Sequence, residues 1–289
     1  MVDYEEWTAE LDSHEVTVDG HDLEMAYYDA GGDGDSTASD NPVVLLHGIP
    51  TSSFLWRDVA TALADDRRVV VPDMVGYGQS SMRDEFDRSI RAQEAAVADL
   101  LDGLGADTVS FVGHDLGGGV ALRYAVHRPD AVDRLALSNA VAYDSWPVEP
   151  IVDIGLPSTA KENTVEEVQQ TLDDMFRESL TAEDPEEEFV EGMKAPWNSE
   201  EGLVSLVRSA AATNTNHTTE IDPNEVTAEA LLLWGADDQF QPIETAERLA
   251  DDIESAEVVG LDDANHWVVQ DRPDRYLEEL RSFLVEDTA

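Results

Sequence analysis

Cysteine is absent from this 289-residue chain, and lysine occurs only as Lys161 and Lys194. Without thiols there is no disulfide framework, no thiolate metal site and no cysteine nucleophile, so a reducing, cytoplasmic setting is expected. Long apolar runs are missing as well, and none approaches the ~20 residues of a bilayer-spanning helix. The opening residues, Met1 to Glu6, are acidic, unlike a secretory signal peptide. No phosphate loop, dinucleotide fingerprint or zinc spacing occurs, and neither cofactor nor metal is expected. Glu186-Glu187-Glu188 has no histidine beside it and reads as a solvated helix face.

What the chain has in excess is carboxylate. Against 17 Lys and Arg stand 64 Asp and Glu, a formal net charge of −47, yet 42% of residues are hydrophobic. That share supports a sizeable core, so the acidity belongs to the surface of a folded protein. Such a surface repels phosphate backbones and anionic lipid. The expected partner is a neutral small-molecule substrate, with no nucleic acid and no membrane, and the expected state a monomer or small homo-oligomer. At molar salt the Debye length falls to ~3 Å and self-repulsion fades, so the composition points to a salt-loaded cytoplasm of the halophile kind.

Apolar periodicity divides the chain. Val16–Val18 and Leu23–Tyr27 flank Asp19-Gly20 as a hairpin, and 31–40 is a solvated Gly/Asp/Ser-rich loop. Buried strands are predicted at 43–46, 69–71, 108–112 and 135–137. Helices are predicted at 51–63 (capped by Ser52 or Ser53), 90–104 and 120–127. From about 141 to 222 the spacing is helical with no buried strand. Strands at 230–234 and 257–259, with helices through Leu249 and from Tyr276 to Leu284, then resume the rhythm. Alternating strands and helices argue an α/β fold with a mostly parallel sheet covered on both faces. A helical insertion in such a chain reads as a lid over the strands' carboxyl ends, which gives a core of 1–140 and 223–289 and a lid of 141–222.

Gly113-His114-Asp115-Leu116-Gly117 sits between a predicted strand and a predicted helix, the setting of a Gly-x-nucleophile-x-Gly turn with Asp as the nucleophile. Glycines leave room beside a strained residue, and a helix N-terminus stabilises an anion. The partners of such a turn follow in the order acid, then histidine. Asp237 and Asp238 end the strand Leu231–Trp234, and His266 lies in a loop before the last helix, so the triad reads Asp115, Asp238 or Asp237, and His266. His47 and His114 read as structural, and Trp56, Trp234 and Trp267 as packing.

These motifs resemble the α/β-hydrolase family, most closely its branch with an Asp nucleophile, the haloalkane dehalogenases and epoxide hydrolases. His47-Gly48-Ile49-Pro50-Thr51-Ser52-Ser53-Phe54-Leu55-Trp56-Arg57 is similar to the oxyanion loop of the dehalogenases. Asp73 to Ser80 matches the family's Asp-x-x-Gly-x-Gly-x-Ser loop, Gly235 to Asp238 its Gly-x-x-Asp acid motif, and Ala264 to Trp267 its histidine loop. The resemblance implies an eight-stranded α/β-hydrolase fold with the lid after strand 6. It also favours Asp238 over Asp237, and implies an oxyanion hole from the backbone N–H groups of Ile49 and Leu116.

Departures from the family pattern bear on the substrate. Dehalogenases usually carry Trp after the nucleophile and often Asn after the His-Gly; here those positions hold Leu116 and Ile49. A halide would then need backbone amides and a lid donor, for which Trp146 and Trp197 are the candidates. Epoxide hydrolases use lid tyrosines, and only Tyr143 is available. Fluoroacetate dehalogenases carry arginines where Leu116 and Gly119 stand, which disfavours haloacids. The reading is dehalogenase-like hydrolysis through an Asp115 ester. Its rivals are epoxide hydrolysis, hydrolysis of other neutral molecules, and a ligand-binding protein on the same fold. The charge leads to a first expectation: the thermal midpoint rises as KCl is raised from low to molar concentration, and a fall would exclude the high-salt reading.

Overall fold

Val43–Leu46 and Val69–Pro72 are four-residue strands in which every residue is buried, as expected of strands covered on both faces. In this computed structural model, which describes residues 2–31, 41–182 and 185–285, they lie inside one eight-stranded sheet. The strands are β1 Asp12–Val18, β2 His21–Ala30, β3 Val43–Leu46, β4 Val69–Pro72, β5 Val109–His114, β6 Val132–Ser138, β7 Glu229–Gly235 and β8 Ala256–Leu261, in the order β1-β2-β4-β3-β5-β6-β7-β8. Antiparallel pairing is confined to β1–β2 and β2–β4, and the rest are parallel. Asp19 and Gly20 turn the hairpin, both at positive φ, as the right-handed twist of the flanking strands requires. The predicted loop over 31–40 lies outside the described residues apart from Gly31.

Parallel order brings the carboxyl ends of β3, β5, β6 and β7 to one edge, where sheets of this kind bind ligands. Leu46 runs into His47-Gly48-Ile49, His114 into Asp115, Ser138 into Asn139, and Gly235 into the Asp237-Asp238 turn. Residues far apart in sequence therefore meet because the strands pair in register: Leu46 lies opposite Gly113, and Gly113 opposite Leu137.

Two helix starts differ from expectation. The helix predicted from Thr51 begins at Arg57, after a 3-10 turn over Ser53–Trp56, and neither serine caps it. Ser53 Oγ instead accepts the Trp7 indole N–H at 2.9 Å, and its amide donates to Asp73. The helix predicted from Val120 begins at Leu116, since Gly117 to Gly119 hide the apolar pattern without ending the helix. Tyr4–Ala9 adds an unpredicted helix, closed by an Asp3–Glu6 capping box; its one buried residue, Trp7, shows no periodicity. Between β6 and β7 the described residues form helices and short turns with no strand. The helix Val165–Glu178, capped by Thr164 and Glu167, buries Val168, Leu172 and Phe176 on one stripe.

At the turn after β5 two glycines are sterically obligatory. A Cβ on Gly113 would meet Gly118 Cα at 2.6 Å, and one on Gly117 would overlap the His47 and Leu46 carbonyl oxygens. Gly117→Ala should therefore destabilise by about 3 kcal/mol or more, because backbone has to move. Gly105→Ala, at φ +67 with open space around it, should cost about 1–2 kcal/mol. Thermal midpoints that reversed this order would refute the packing argument.

Candidate active site

Asp115 is held in a conformation that few non-glycine residues adopt, φ +50 and ψ −119. Strain of this kind, about 1–3 kcal/mol, persists only where the surroundings over-determine it. Its amide donates to Ser138 O at 3.2 Å, and its carbonyl accepts N–H groups from Gly118, Gly119 and Val141. The residue is 6% exposed. Ile49 N–H donates to Oδ1 at 2.9 Å, and the Leu116 amide, at the start of the Leu116–His127 helix, adds to the same field. Burial pushes the Asp115 pKa up, opposed by His266 and by these two amides, and the balance lies above the ordinary carboxylate value.

Nε2 of His266 stands 3.9 Å from Asp115 Oδ2, while its Nδ1 lies 2.9 Å from Asp238 Oδ2. A carboxylate can only accept, so Nδ1 carries a proton, and in the neutral ring Nε2 is the unprotonated nitrogen turned toward Asp115. Asp238 also accepts from Asn139 Nδ2 at 2.5 Å and from Phe240 N–H at 2.7 Å. Burial would raise its pKa, but His266 and these donors outweigh burial and hold it below the usual range. For His266 burial acts downward, yet the Asp238 and Asp115 carboxylates overcome it and hold the imidazole above 6.5. Asp237 is exposed and only its amide is engaged, on Ala264 O.

The supporting loops are bonded as closely. His47 donates from Nδ1 to Gly48 O at 2.9 Å and accepts Met74 N–H at Nε2 at 3.0 Å; burial lowers its pKa to about 4, so it is neutral. Asp73 accepts the amides of Ser53 and Gln79. His114 Nε2–H donates to the His266 carbonyl at 2.9 Å, and burial, with the charge of His266, pushes its pKa to about 3.

Above Asp115 lies a small, partly open cavity of about 20 Å³, room for roughly one water. Pro50, Val148, Ile151, Met175, Phe240 and Trp267 make its walls apolar, and Asp115, His266 and the Ile49 segment supply its polar groups. Pro150 and Met175 separate it from an outer groove of about 530 Å³ between the helices Glu149–Ile154 and Val165–Glu178. The three candidate donors of the insertion point elsewhere. Trp146 Nε1 donates to Thr218 Oγ1 at 2.7 Å, Trp197 Nε1 to Pro50 O at 2.8 Å, and Tyr143 OH to Asp252 Oδ2 at 2.6 Å. None of the three lines the cavity. Among the described residues no group of three or more His, Asp or Glu is arranged to hold a metal ion.

Asn139 lies outside every motif, and Asn265, though inside the histidine loop, has no predicted role. Asn139 donates to Asp238 and accepts Gly235 N–H at 3.1 Å, while Asn265 Oδ1 accepts the amides of His266 and Gln239. The one signal for Asn139 is its place, the first residue past a strand at the carboxyl edge of a parallel sheet.

The family model for the alpha/beta hydrolase fold matches residues 41–273. Among curated relatives, a 2-hydroxy-6-oxo-2,4-heptadienoate hydrolase of Pseudomonas putida is 28% identical, over 86% of this chain and 90% of its own. Haloalkane dehalogenase 2 of Mycobacterium bovis is 28% identical over 81% and 84%, and a soluble epoxide hydrolase of a Corynebacterium 27% over 96% and 98%. An alpha/beta hydrolase fold protein from Burkholderia ambifaria superposes with TM-score 0.79 at 24% identity, covering 93% of this chain and 99% of that one.

The hydrogen bonds make histidine titration a test. In a histidine-selective NMR titration His266 should titrate above 6.5, while His47 and His114 stay neutral down to about pH 4 and 3 respectively. Asp238→Asn should move His266 downward, because the largest upward influence is removed; an unmoved midpoint would contradict the pairing.

Proposed function

This chain belongs to the alpha/beta hydrolase fold family, and we propose that it hydrolyses a neutral, apolar small molecule at a saturated carbon through an ester on Asp115, with a carbon–halogen bond as the bond broken. One observation carries the reading. Asp115 Oδ1 rests on the Ile49 N–H at 2.9 Å, while Oδ2 faces Nε2 of His266 at 3.9 Å beside an apolar cavity. A serine in that place would need the base to activate it; a carboxylate does not.

In the first step Oδ2 attacks the carbon bearing the halogen, a C–O bond forms and halide leaves with the electron pair. The product is an alkyl ester of Asp115. In the second step His266 Nε2 takes a proton from water as its oxygen attacks Cγ of Asp115. Charge develops on Oδ1, where the Ile49 and Leu116 amides hold it. Collapse expels the alkoxide, which takes the proton from His266, and the restored carboxyl loses its own proton to solvent through the same imidazole. Asp238 orients the ring and stabilises the imidazolium. The insertion over 141–222 serves as the lid: at about 20 Å³ the inner cavity is too small for a substrate, so Met175 and Pro150 must give way on entry.

Two details favour alkyl halides of a particular kind. Among the described residues no hydroxyl lines the cavity to protonate an opening epoxide, and the Tyr143 hydroxyl is bonded to Asp252. With Leu116 after the nucleophile, and the Trp146 and Trp197 N–H groups engaged elsewhere, a departing halide finds only backbone amides. Weakly solvated halides that leave readily should therefore be strongly preferred. In molar KCl a primary bromoalkane should react at least about tenfold faster than its chloro analogue. His266→Gln should accumulate an alkyl adduct on the peptide bearing Asp115, detectable by mass. A single turnover in heavy-oxygen water should label the same carboxylate. Turnover of bromoalkanes or epoxides with Asp115 neither alkylated nor labelled would overturn the mechanism, and diol release from epoxides alone would reassign the substrate.

A further inference from the structure

The hydrogen bond that aims the Ile49 amide at Asp115 is the last link of a longer series. Trp197 Nε1–H donates to the Pro50 carbonyl at 2.8 Å. That carbonyl belongs to the same peptide group as the Thr51 N–H, which donates to the Gly48 carbonyl at 3.0 Å. The Gly48 carbonyl in turn shares its peptide group with the Ile49 N–H, which donates to Asp115 Oδ1 at 2.9 Å. Two peptide groups therefore stand in series between an indole of the helical insertion and the nucleophile.

Such a series is more than a support. A donor placed on a peptide oxygen draws electron density through the conjugated C–N bond and makes the N–H of that peptide a stronger donor. Estimates for chains of this kind give about 10–30% strengthening per bond. The Gly48 carbonyl accepts two further donors, Thr51 Oγ1 and His47 Nδ1, both at 2.9 Å. The indole is also held in place. Trp197 is fully buried and meets Tyr77 edge-on with ring centroids 5.7 Å apart, and Tyr77 meets His47 edge-on at 5.2 Å. Nearby, Gly192 approaches the Phe54 ring so closely that a Cβ would overlap it. This end of the insertion packs directly on the loop that carries the oxyanion donor.

We propose that Trp197 is a positioning residue for the oxyanion hole, acting through the Pro50–Thr51 and Gly48–Ile49 peptides, so that the insertion takes part in ester hydrolysis beyond covering the cavity. The kinetic part of this rests on the Asp115 ester described above. The two chemical steps then respond differently to loss of the indole N–H. Hydrolysis builds charge on Oδ1 and needs a strong Ile49 donor. Alkylation removes charge from the carboxylate, so a weaker donor leaves it unchanged or slightly faster.

The test uses Trp197→Phe, which keeps an aromatic ring and removes the donor. A tryptophan analogue with sulfur in place of the indole N–H, incorporated at 197, keeps the shape should the Phe variant fail to fold. Rapid-quench turnover of a bromoalkane should show ester hydrolysis slowed about three- to sevenfold, short of the ~100-fold or more that follows outright loss of a hole donor. Alkylation should stay within about twofold, so that ester accumulates. In parallel, the Ile49 amide proton should move upfield in the NMR spectrum as its hydrogen bond weakens, a readout that needs no substrate. Equal slowing of both steps, or an unmoved Ile49 amide proton, would overturn the relay. A shifted Ile49 proton in an enzyme that forms no Asp115 adduct would uphold the relay and place the failure in the ester reading.

Discussion

Asp115 is a carboxylate buried beneath the surface of a chain whose formal charge is −47. An uncompensated buried charge is severely unfavourable, and in this setting every further carboxylate adds to the difficulty. Compensation comes from oriented N–H groups and one imidazole: the Ile49 amide, the Leu116 amide at a helix start, and His266. Most of the local architecture follows from aiming those groups. The positive φ of Asp115 turns the side chain toward the β3 loop, and the glycines of the turn let that loop approach. Neutral His47 and buried Asp73 then hold the surrounding loops from behind.

That logic explains which parts of the site are legible in the sequence alone. Asp115 and Ile49 were legible because a sharp turn at a helix start and a loop that must approach it leave short, local motifs. Asp238 and His266 were legible from their order and their places after strands. The strands were legible where burial on both faces leaves unbroken runs such as Val43–Leu46. Legibility ended where a residue's role depends on a partner far along the chain. Trp197 looked like a candidate halide donor, yet its N–H is engaged with Pro50, 147 positions away. Trp146 and Tyr143 are likewise bound to Thr218 and Asp252. Composition and periodicity carry no information about such pairings. The late start of the helix at Arg57 has the same origin, because Thr51 is bonded to Gly48 and Ser53 to Asp73 and Trp7, partners that helix propensity does not reveal.

The carboxylates sort by environment. Asp115, Asp238 and Asp73 are buried and bonded to N–H groups, and Glu94 is buried against Arg123 and flanked by His127 and Arg128. Most others lie at the surface, where ion pairs such as Arg281–Asp66 contribute at most about 1 kcal/mol and vanish in salt. With few cations to share, a surface of this kind gains little from pairing and much from screening. The buried carboxylates are shielded from bulk ions, so their partners are fixed by the fold rather than by the solvent.

A tension remains inside the site itself. In the proposed mechanism the donors on Asp115 have opposed effects, since they stabilise its ground-state anion, which opposes alkylation, and they lower the barrier to ester hydrolysis. His266 moderates the conflict through its own titration. While Asp115 is charged, it adds to Asp238 in holding the imidazole above its ordinary pKa. In the proposed ester the charge on Asp115 is gone, and its share of that upward influence goes with it. The imidazole then becomes a free base more readily, at the moment when a water must be deprotonated. Separating Oδ2 from Nε2 by 3.9 Å, beyond hydrogen-bond range, makes this coupling possible. The two groups sense each other's charge without forming a bond that attack on substrate would first have to break.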